Sequence, residues 1–224
     1  MISRKYRCIF IHIPKCAGTS IEHALGHFDE HEGRAGQDHR SIRMICQPGP
    51  TVSDIIQLDN MKDFIRRVRE QYRKQANPAN GELPSVEEYI TYFKFTVVRN
   101  PIERAYSWYK NALRDQIHQK NYGIDPSQSF DQFMKQFAGK GFLRPQTYWL
   151  KDYSGNIPMD YVGKFESLSE DYTHICEKLG IKNPVLPHKI EGQPAKERHI
   201  EDKTVEFINR FYAEDFETFG YTKG

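Results

Sequence analysis

Two short stretches of the sequence carry residues that could bind phosphate. The first is IHIPKCAGTS, where an apolar run leads through Pro14 and Lys15 to small residues, Thr19 and Ser20. A strand that joins a helix through such a loop points backbone N–H groups and the positive helix end at an anion. Lys15 adds a charge, Thr19 and Ser20 add hydroxyl donors, and Gly18 lets the backbone approach closely.

The second stretch is FTVVRNPIERAYSWY, in which Arg99 ends a predicted strand and Ser107 follows on the next helix. Ligands of parallel α/β sheets bind at the carboxyl ends of the strands. We therefore expect Arg99 to emerge beside the first loop and, with Ser107, to grip a second phosphate. A surface pair of Arg99 with a carboxylate is the alternative, which the presence of the first loop disfavours.

Two common phosphate sites do not match the first loop. The triphosphate loop G-x-x-x-x-G-K-[ST] places its Lys after the second Gly, whereas Lys15 precedes Gly18 and no first Gly exists. A cysteine phosphatase built on Cys16 would need an Arg at the position that Glu22 occupies. The loop is therefore predicted to hold phosphate without magnesium, with Cys16 as a small filler.

Together the two motifs resemble those of sulfotransferases that use 3′-phosphoadenosine 5′-phosphosulfate (PAPS). The resemblance is greatest to the carbohydrate family that includes heparan sulfate 2-O- and chondroitin sulfotransferases and bacterial relatives. HIPKCAGTSI corresponds to that family's 5′-phosphosulfate loop, usually written HIPKTAGTS, so Cys16 stands in place of Thr. VVRNPIERAYSWY corresponds to its 3′-phosphate motif. RPQTYWL, DYVGKFESLSEDY and FYAEDFETFGY extend the similarity, which is loosest over residues 26–87.

The resemblance implies that PAPS is the co-substrate, that no metal is needed, and that the acceptor carries a hydroxyl, on a carbohydrate or glycolipid. Lys15 would stabilise charge on the leaving phosphate, and Phe165 would approach the adenine. Lys196, with Lys189, would close a loop over the nucleotide, and a surface loop without a ligand is an equal alternative for these two lysines. The implied donor-binding residues are Lys15, Cys16, Ala17, Gly18, Thr19, Ser20, Arg99, Ser107, Phe165 and Lys196.

The general base of that family corresponds to His39, in GQDHRSIRMI, although Asp38 precedes it here where the family has a basic residue. Histidine suits this role because its ordinary pKa lies near neutrality. Glu22 and Asp38 are weaker candidates for the same task.

The remaining histidines and arginines near the motifs have less specific roles. His12 is expected to pack or to orient the loop, while His23 and His27 are expected at the surface although their spacing would suit a metal pair. Arg104 could face the donor or an anionic acceptor.

Length and composition limit the possible classes of protein. The chain has 224 residues, 38% hydrophobic and 28% charged, and is predicted to form a single domain over 1–224. A net charge of +2 does not indicate a nucleic-acid partner. The four cysteines have no zinc or disulfide spacing, and no apolar run reaches the about 18 residues of a membrane span. These features predict a cytoplasmic protein, unless an anchor lies outside this sequence.

Apolar patterning predicts the fold class. Strands at 7–13, 93–98 and 159–165 alternate with helices, while 51–58 is a further strand or extended segment. The predicted helices are 20–26, an amphipathic helix 60–75, one after Asn100, 129–137, 169–179 and 204–219. This order predicts an α/β fold, a P-loop-like three-layer sandwich whose central, mainly parallel sheet is flanked by helices.

Charge is uneven along the chain. Residues 61–74 carry six basic against two acidic side chains, and residues 201–217 carry six acidic against two basic ones. Solvated helix faces explain both segments, and a basic face near an anionic acceptor is the alternative for the first.

The leading functional hypothesis is therefore sulfuryl transfer from PAPS to a hydroxyl. A P-loop-like kinase or phosphotransferase, and a non-catalytic nucleotide-binding relative, are the alternatives.

Overall fold

A four-stranded sheet organises the chain in the computed structural model, which describes residues 1–31, 36–186 and 200–224. Its strands are β1 (Ile2–Ser3), β2 (Cys8–Ile11), β3 (Phe93–Val98) and β4 (Tyr161–Lys164), in that spatial order. β1 is antiparallel to β2, whereas β2, β3 and β4 are parallel. The predicted mixed α/β fold with a mainly parallel sheet flanked by helices is confirmed.

Register places the carboxyl ends of the three parallel strands at one edge. Ile11 pairs with Thr96, and Val98 pairs with Lys164. The hydroxyl of Thr96 donates a hydrogen bond of 2.8 Å to the carbonyl of Ile11, which ties β2 to β3 in this register. The segments that leave β2, β3 and β4 therefore start from the edge where α/β sheets bind ligands.

Twelve helices connect the strands in the described residues. They are α1 (Gly18–Ala24), α2 (Ile42–Ile45), α3 (Val52–Ile55), α4 (Leu58–Tyr72), α5 (Val86–Thr91), α6 (Pro101–Ala112), α7 (Gln116–Tyr122), α8 (Phe130–Phe137), α9 (Gln146–Leu150), α10 (Leu168–Lys178), α11 (Asp202–Phe211) and α12 (Ala213–Thr218). Asn100 caps α6 by accepting hydrogen bonds from two backbone N–H groups, which explains why this helix begins where the sequence predicts.

Two predicted elements are wrong. The predicted extended segment 51–58 contains the helix α3 (Val52–Ile55) instead, because Thr51 and Asp54 form a capping box that starts this helix. The final helix is divided at Tyr212 into α11 and α12.

Contacts group the described residues into two compact units. The first holds those of Met1–Val98 and Tyr148–Glu191, including the whole sheet, and the second those of Arg99–Thr147 and Gly192–Gly224. In the second unit, aromatic and aliphatic residues of α6, α8, α11 and α12 form one buried cluster around Trp108, Phe133, Tyr212 and Phe216. The single domain expected over 1–224 stays a prediction.

The helix α4 presents its polar side to the interior of the first unit, although an amphipathic helix ordinarily buries its apolar stripe. Asn60, Asp63 and Arg67 are buried, whereas Ile65 and Tyr72 are 59% and 86% exposed. The buried side chains bind polar partners: Arg67 donates to the carbonyl of Cys46 at 2.9 Å. Hydrogen bonds thus offset the burial of these polar groups.

The Arg67 contact corrects the expectation that every arginine of 61–74 lies on a solvated or acceptor-facing surface, since its guanidinium is a structural group. Asp63 is structural as well, because it accepts a hydrogen bond of 2.7 Å from the hydroxyl of Tyr148 and lies 3.1 Å from Nε of Arg43.

A buried ion pair anchors the segment between α1 and α2. The guanidinium of Arg40 donates to both oxygens of Asp38, at 2.8 and 2.6 Å, and to the carbonyl of Glu82 at 2.6 Å. Burial opposes ionisation of Asp38, but the charge of Arg40 outweighs it and holds the pKa of this carboxyl well below its usual range. Asp38 therefore has a structural role as the ion-pair partner of Arg40 and is a poor candidate for a general base.

We expect Asp38→Asn to lower the free energy of unfolding by about 3 kcal/mol at neutral pH, because it leaves the guanidinium buried without its counter-ion. The lowered pKa means that the carboxylate stabilises the fold above the pKa of unfolded Asp. The difference between wild type and variant should therefore shrink as the pH falls below about 4. Urea unfolding across this pH range measures it, with exposed Glu87→Gln as the control. A difference that does not depend on pH would contradict the ion-pair explanation.

Candidate functional site

The loop between β2 and α1 has an unusual backbone. Lys15 and Ala17 have φ angles of 70° and 63°, in the left-handed region that residues with side chains seldom adopt. Ala17 is the N-cap of α1, and no side chain caps this helix start. Left-handed residues in a turn aim consecutive N–H groups at a common point, which is a geometry that binds anions. Such strain is found at functional sites more often than elsewhere.

The side chains of this loop divide between the interior and the surface. Cys16 is buried, and its thiol lies 3.7 Å from the carbonyl oxygen of Pro14, as expected for a small filler. Lys15, Thr19 and Ser20 are partly exposed. The loop therefore presents one cation and two hydroxyls to its accessible side.

Gly18 is required by a neighbouring side chain. A Cβ at this position would lie 1.9 Å from Cδ2 of His12, a distance that no packing allows. The imidazole of His12 therefore occupies the space beside the start of α1. His12 packs and orients the loop, as the sequence predicts.

A buried carboxylate holds this histidine. Nδ1 of His12 lies 3.1 Å from Oε1 of Glu22, and the same oxygen accepts a hydrogen bond of 2.9 Å from the backbone N–H of Asp38. Burial opposes ionisation of Glu22, but His12 outweighs it and lowers the pKa of this carboxyl. Glu22 has no exposed surface, so it is a positioning group rather than a base.

His39, the predicted base, lies beside His12. The two rings have centroids 4.2 Å apart, and Nδ1 of His39 lies 3.4 Å from the carbonyl oxygen of His12. Because a carbonyl can only accept, this long hydrogen bond assigns the proton to Nδ1. Nε2 then keeps its lone pair, which is the tautomer that a general base needs.

The surroundings of His39 keep its ring neutral. Burial, reinforced by His12, lowers the pKa of His39 to about 3, although Glu22 favours the charged form. The imidazole is therefore uncharged over the whole neutral range.

Phe165 starts a short 3₁₀ turn, Phe165–Ser167, directly after β4. The carboxylate of Asp171 holds this turn, because it accepts from the backbone N–H of Lys164 and the hydroxyl of Ser167, each at 2.7 Å. The hydroxyl of Tyr161 donates to the same carboxylate at 2.5 Å. Sequence reasoning did not identify Asp171; its position one helical turn after Ser167 in α10 was the available signal.

Arg99 and Ser107 belong to the second unit. Arg99 follows β3 directly, and Gln146 clamps its backbone by accepting from its N–H at 2.9 Å and donating to its carbonyl at 2.8 Å. Gln146 is in turn held by Asp215, which accepts from its N–H at 2.7 Å. Ser107 lies partly exposed on α6.

Two expectations about neighbouring residues are wrong. Arg104 is buried and donates to the carbonyls of Phe142 and Arg144, at 3.0 and 2.6 Å, so it does not face a donor or acceptor. His27 is buried rather than superficial, because Nε2 lies 2.9 Å from Oδ1 of Asn80. Lys189 and Lys196 lie outside the described residues.

Comparison with known proteins gives the chain a family. A family model described as "Sulfotransferase family" matches residues 1–222. Carbohydrate sulfotransferase 14 of Homo sapiens is 24% identical over an alignment of 201 residues that covers 79% of this chain and 45% of that protein. The Mus musculus protein of the same name is 23% identical over the same lengths. The chain thus spans about half the length of the curated relatives it matches.

A solved structure of a sulfotransferase from Alicyclobacillus acidocaldarius aligns over 95% of both chains, with 16% identity and a TM-score of 0.41. Among the described residues, no helix combines the length and apolar character needed to cross a membrane. Because the family model covers nearly the whole sequence, the chain belongs to the Sulfotransferase family of enzymes.

Proposed function

We propose that this protein transfers a sulfuryl group from PAPS to a hydroxyl of a carbohydrate, with His39 as the general base and Lys15 as the group that stabilises the leaving phosphate. The observation that carries the proposal is the position of His39: its ring lies 4.2 Å from that of His12, the histidine that packs against Gly18 of the loop, and its Nδ1 lies 3.4 Å from the His12 carbonyl oxygen. The family supports sulfuryl transfer, and PAPS is the donor that the two phosphate motifs imply.

The proposed chemistry is a single in-line displacement. The acceptor oxygen forms a bond to sulfur while the bond from sulfur to the bridging oxygen of the 5′-phosphate breaks. The hydroxyl proton passes to Nε2 of His39, and the bond electrons stay on the leaving phosphate. Lys15 and the N–H groups at the start of α1 stabilise that charge by electrostatics. No residue in this sequence of steps requires a metal.

We assign the 3′-phosphate to Arg99 and Ser107. Arg99 follows β3, whose carboxyl end lies at the same sheet edge as that of β2. A guanidinium can bind a phosphate through two parallel hydrogen bonds. The clamp of Gln146 on the Arg99 backbone supports this role because it fixes the point from which the side chain starts.

The adenine is proposed to contact Phe165, whose turn Asp171 rigidifies. A carbohydrate or glycolipid acceptor is proposed because the matched relatives are named carbohydrate sulfotransferases.

The four cysteines are buried as free thiols, which supports a reducing compartment such as the cytoplasm. Labelled PAPS offered to a panel of glycans, lipids and small alcohols tests the acceptor class directly.

Adenosine 3′,5′-bisphosphate should raise the melting temperature without magnesium, because a ligand of the native state stabilises it by mass action. Arg99→Ala should weaken binding of this nucleotide by about tenfold or more through loss of charge-assisted hydrogen bonds. It should leave adenosine 5′-monophosphate almost unaffected. Thermal-shift titrations with both nucleotides measure this, with the exposed Arg210→Ala of the same unit as the control. An equal loss for both nucleotides would overturn the 3′-phosphate assignment.

His39→Ala should reduce kcat by about 10²–10⁴-fold, the usual contribution of a positioned base. The nucleotide-induced rise in melting temperature should persist, because His39 is not assigned to the donor. The matched control is His23→Ala, at a partly exposed histidine on α1 whose ring lies 4.3 Å from that of Phe28. Nucleotide binding without turnover on any acceptor, in wild type and His39→Ala alike, would favour the non-catalytic alternative.

The fall of kcat/KM at low pH should be centred well below pH 6.5, the ordinary pKa of His. The pH dependence of this ratio reflects the pKa values of the enzyme without bound substrate, here that of His39. A base is active in its neutral form, and a lowered pKa keeps that form populated at lower pH. The pH–rate profile between neutrality and the onset of acid unfolding measures the limb. A midpoint at the ordinary histidine value would show that His39 does not act from this environment.

A further inference from the structure

The apolar exposed surface of the described residues is concentrated in one place. Of the twelve large hydrophobic side chains that are exposed in the described part of the chain, six lie within residues 52–72. They are Val52, Ile56, Met61, Ile65, Val68 and Tyr72. The last four belong to α4, which buries its polar side instead.

Two parallel stripes run along the outward face of α4. Met61, Ile65, Val68 and Tyr72 follow each other at intervals of four, three and four residues, so they form one line on the helix. Each is followed directly by a basic residue, and these form a second line beside the first: Lys62, Arg66 and Arg69 on the helix, and Arg73 directly after its last residue. Arg69 and Arg73 both lie within ion-pair distance of the Glu70 carboxylate, at 3.4 and 3.6 Å. We call the two lines the α4 stripe pair.

The interior contacts of α4 fix which side faces out. Asn60 donates to the carbonyl of Tyr153 at 3.0 Å, and Arg67 donates to the carbonyl of Cys46. Asp63 accepts from the hydroxyl of Tyr148. These bonds lie on the opposite side of the helix from Ile65 and Arg69, so rotation of α4 to bury its apolar stripe would break them. The exposure of the stripe pair is therefore part of the folded state.

The pairing of apolar and basic lines points to one kind of partner. An amphipathic helix at a lipid surface inserts its apolar side chains at the boundary between headgroups and acyl chains, and its neighbouring basic side chains contact the headgroup phosphates. Long basic side chains are suited to this because their stems can lie along apolar surface. A second copy of the chain fits worse, since a two-fold contact through α4 would bring the two basic lines together.

We propose that the α4 stripe pair binds an anionic lipid surface. The helix would lie in the plane of the headgroups, with Ile65 and Tyr72 in the apolar boundary and Arg69 and Arg73 on lipid phosphates. Binding of this kind requires no membrane-spanning segment, and it would hold the enzyme at a surface where lipid-linked acceptors are found.

Co-sedimentation of the full chain with phosphatidylcholine vesicles, with and without phosphatidylserine, tests the proposal. We expect binding only to the anionic vesicles and its loss at high salt. Ile65→Ser with Tyr72→Ser should lower the partition coefficient by about tenfold or more. Lys62→Gln with Arg69→Gln and Arg73→Gln should lower it by about a hundredfold, since each cation contributes near an anionic surface.

The controls are exposed residues outside the α4 stripe pair. Ile90→Ser with Val86→Ser, on α5, should leave vesicle binding unchanged, and melting temperatures verify that every variant folds. The proposal is overturned if wild type does not bind anionic vesicles, if the α5 control loses binding equally, or if the basic substitutions have no effect. Light scattering gives a further decisive outcome: a dimer that Ile65→Ser with Tyr72→Ser dissociates, without vesicle binding, would identify the face as a self-association surface.

Discussion

The contact of the His12 imidazole with Gly18 is the constraint on which the rest of the candidate site depends. The ring leaves no room for a side chain at the start of α1, so the helix can approach the end of β2 only with glycine there. The same histidine contacts Glu22 through its ring and His39 through its carbonyl. One residue thus sets the helix start, the buried carboxylate and the tautomer of the proposed base.

Features that depend on neighbouring residues could be predicted from the sequence. The cap at Asn100 and the buried strand before Arg99 involve interactions a few residues apart, and both are present. The loop of Lys15 was predicted from its composition, although the left-handed backbone at Lys15 and Ala17 was not. The sequence suggested that Gly18 is needed so that the backbone can approach an anion. The structure adds a second reason for glycine at this position, because the ring of His12 leaves no space for a Cβ.

Features that depend on distant partners could not be predicted. Periodicity identifies α4 as a helix, but the side it buries is decided by Tyr148 and Tyr153, some ninety residues along the chain. Arg104 has a structural role because its guanidinium donates hydrogen bonds to the carbonyls of Phe142 and Arg144. Helical spacing and charge show which residues share a face of a helix, whereas only the tertiary contacts determine what that face meets.

The electrostatics of His39 fit its proposed role as a base that acts with a donor bound. In the protein alone, burial and the adjacent His12 disfavour the imidazolium form, so His39 brings no positive charge that could form an ion pair with an incoming anion. Phosphate groups placed near the ring would favour the protonated form and raise its pKa. Donor binding would therefore increase the basicity of His39, while the contact with the His12 carbonyl keeps Nε2 as the accepting atom. The negative charge of the buried Glu22 also raises the pKa of His39, so it would stabilise the imidazolium in the proposed proton transfer from the acceptor.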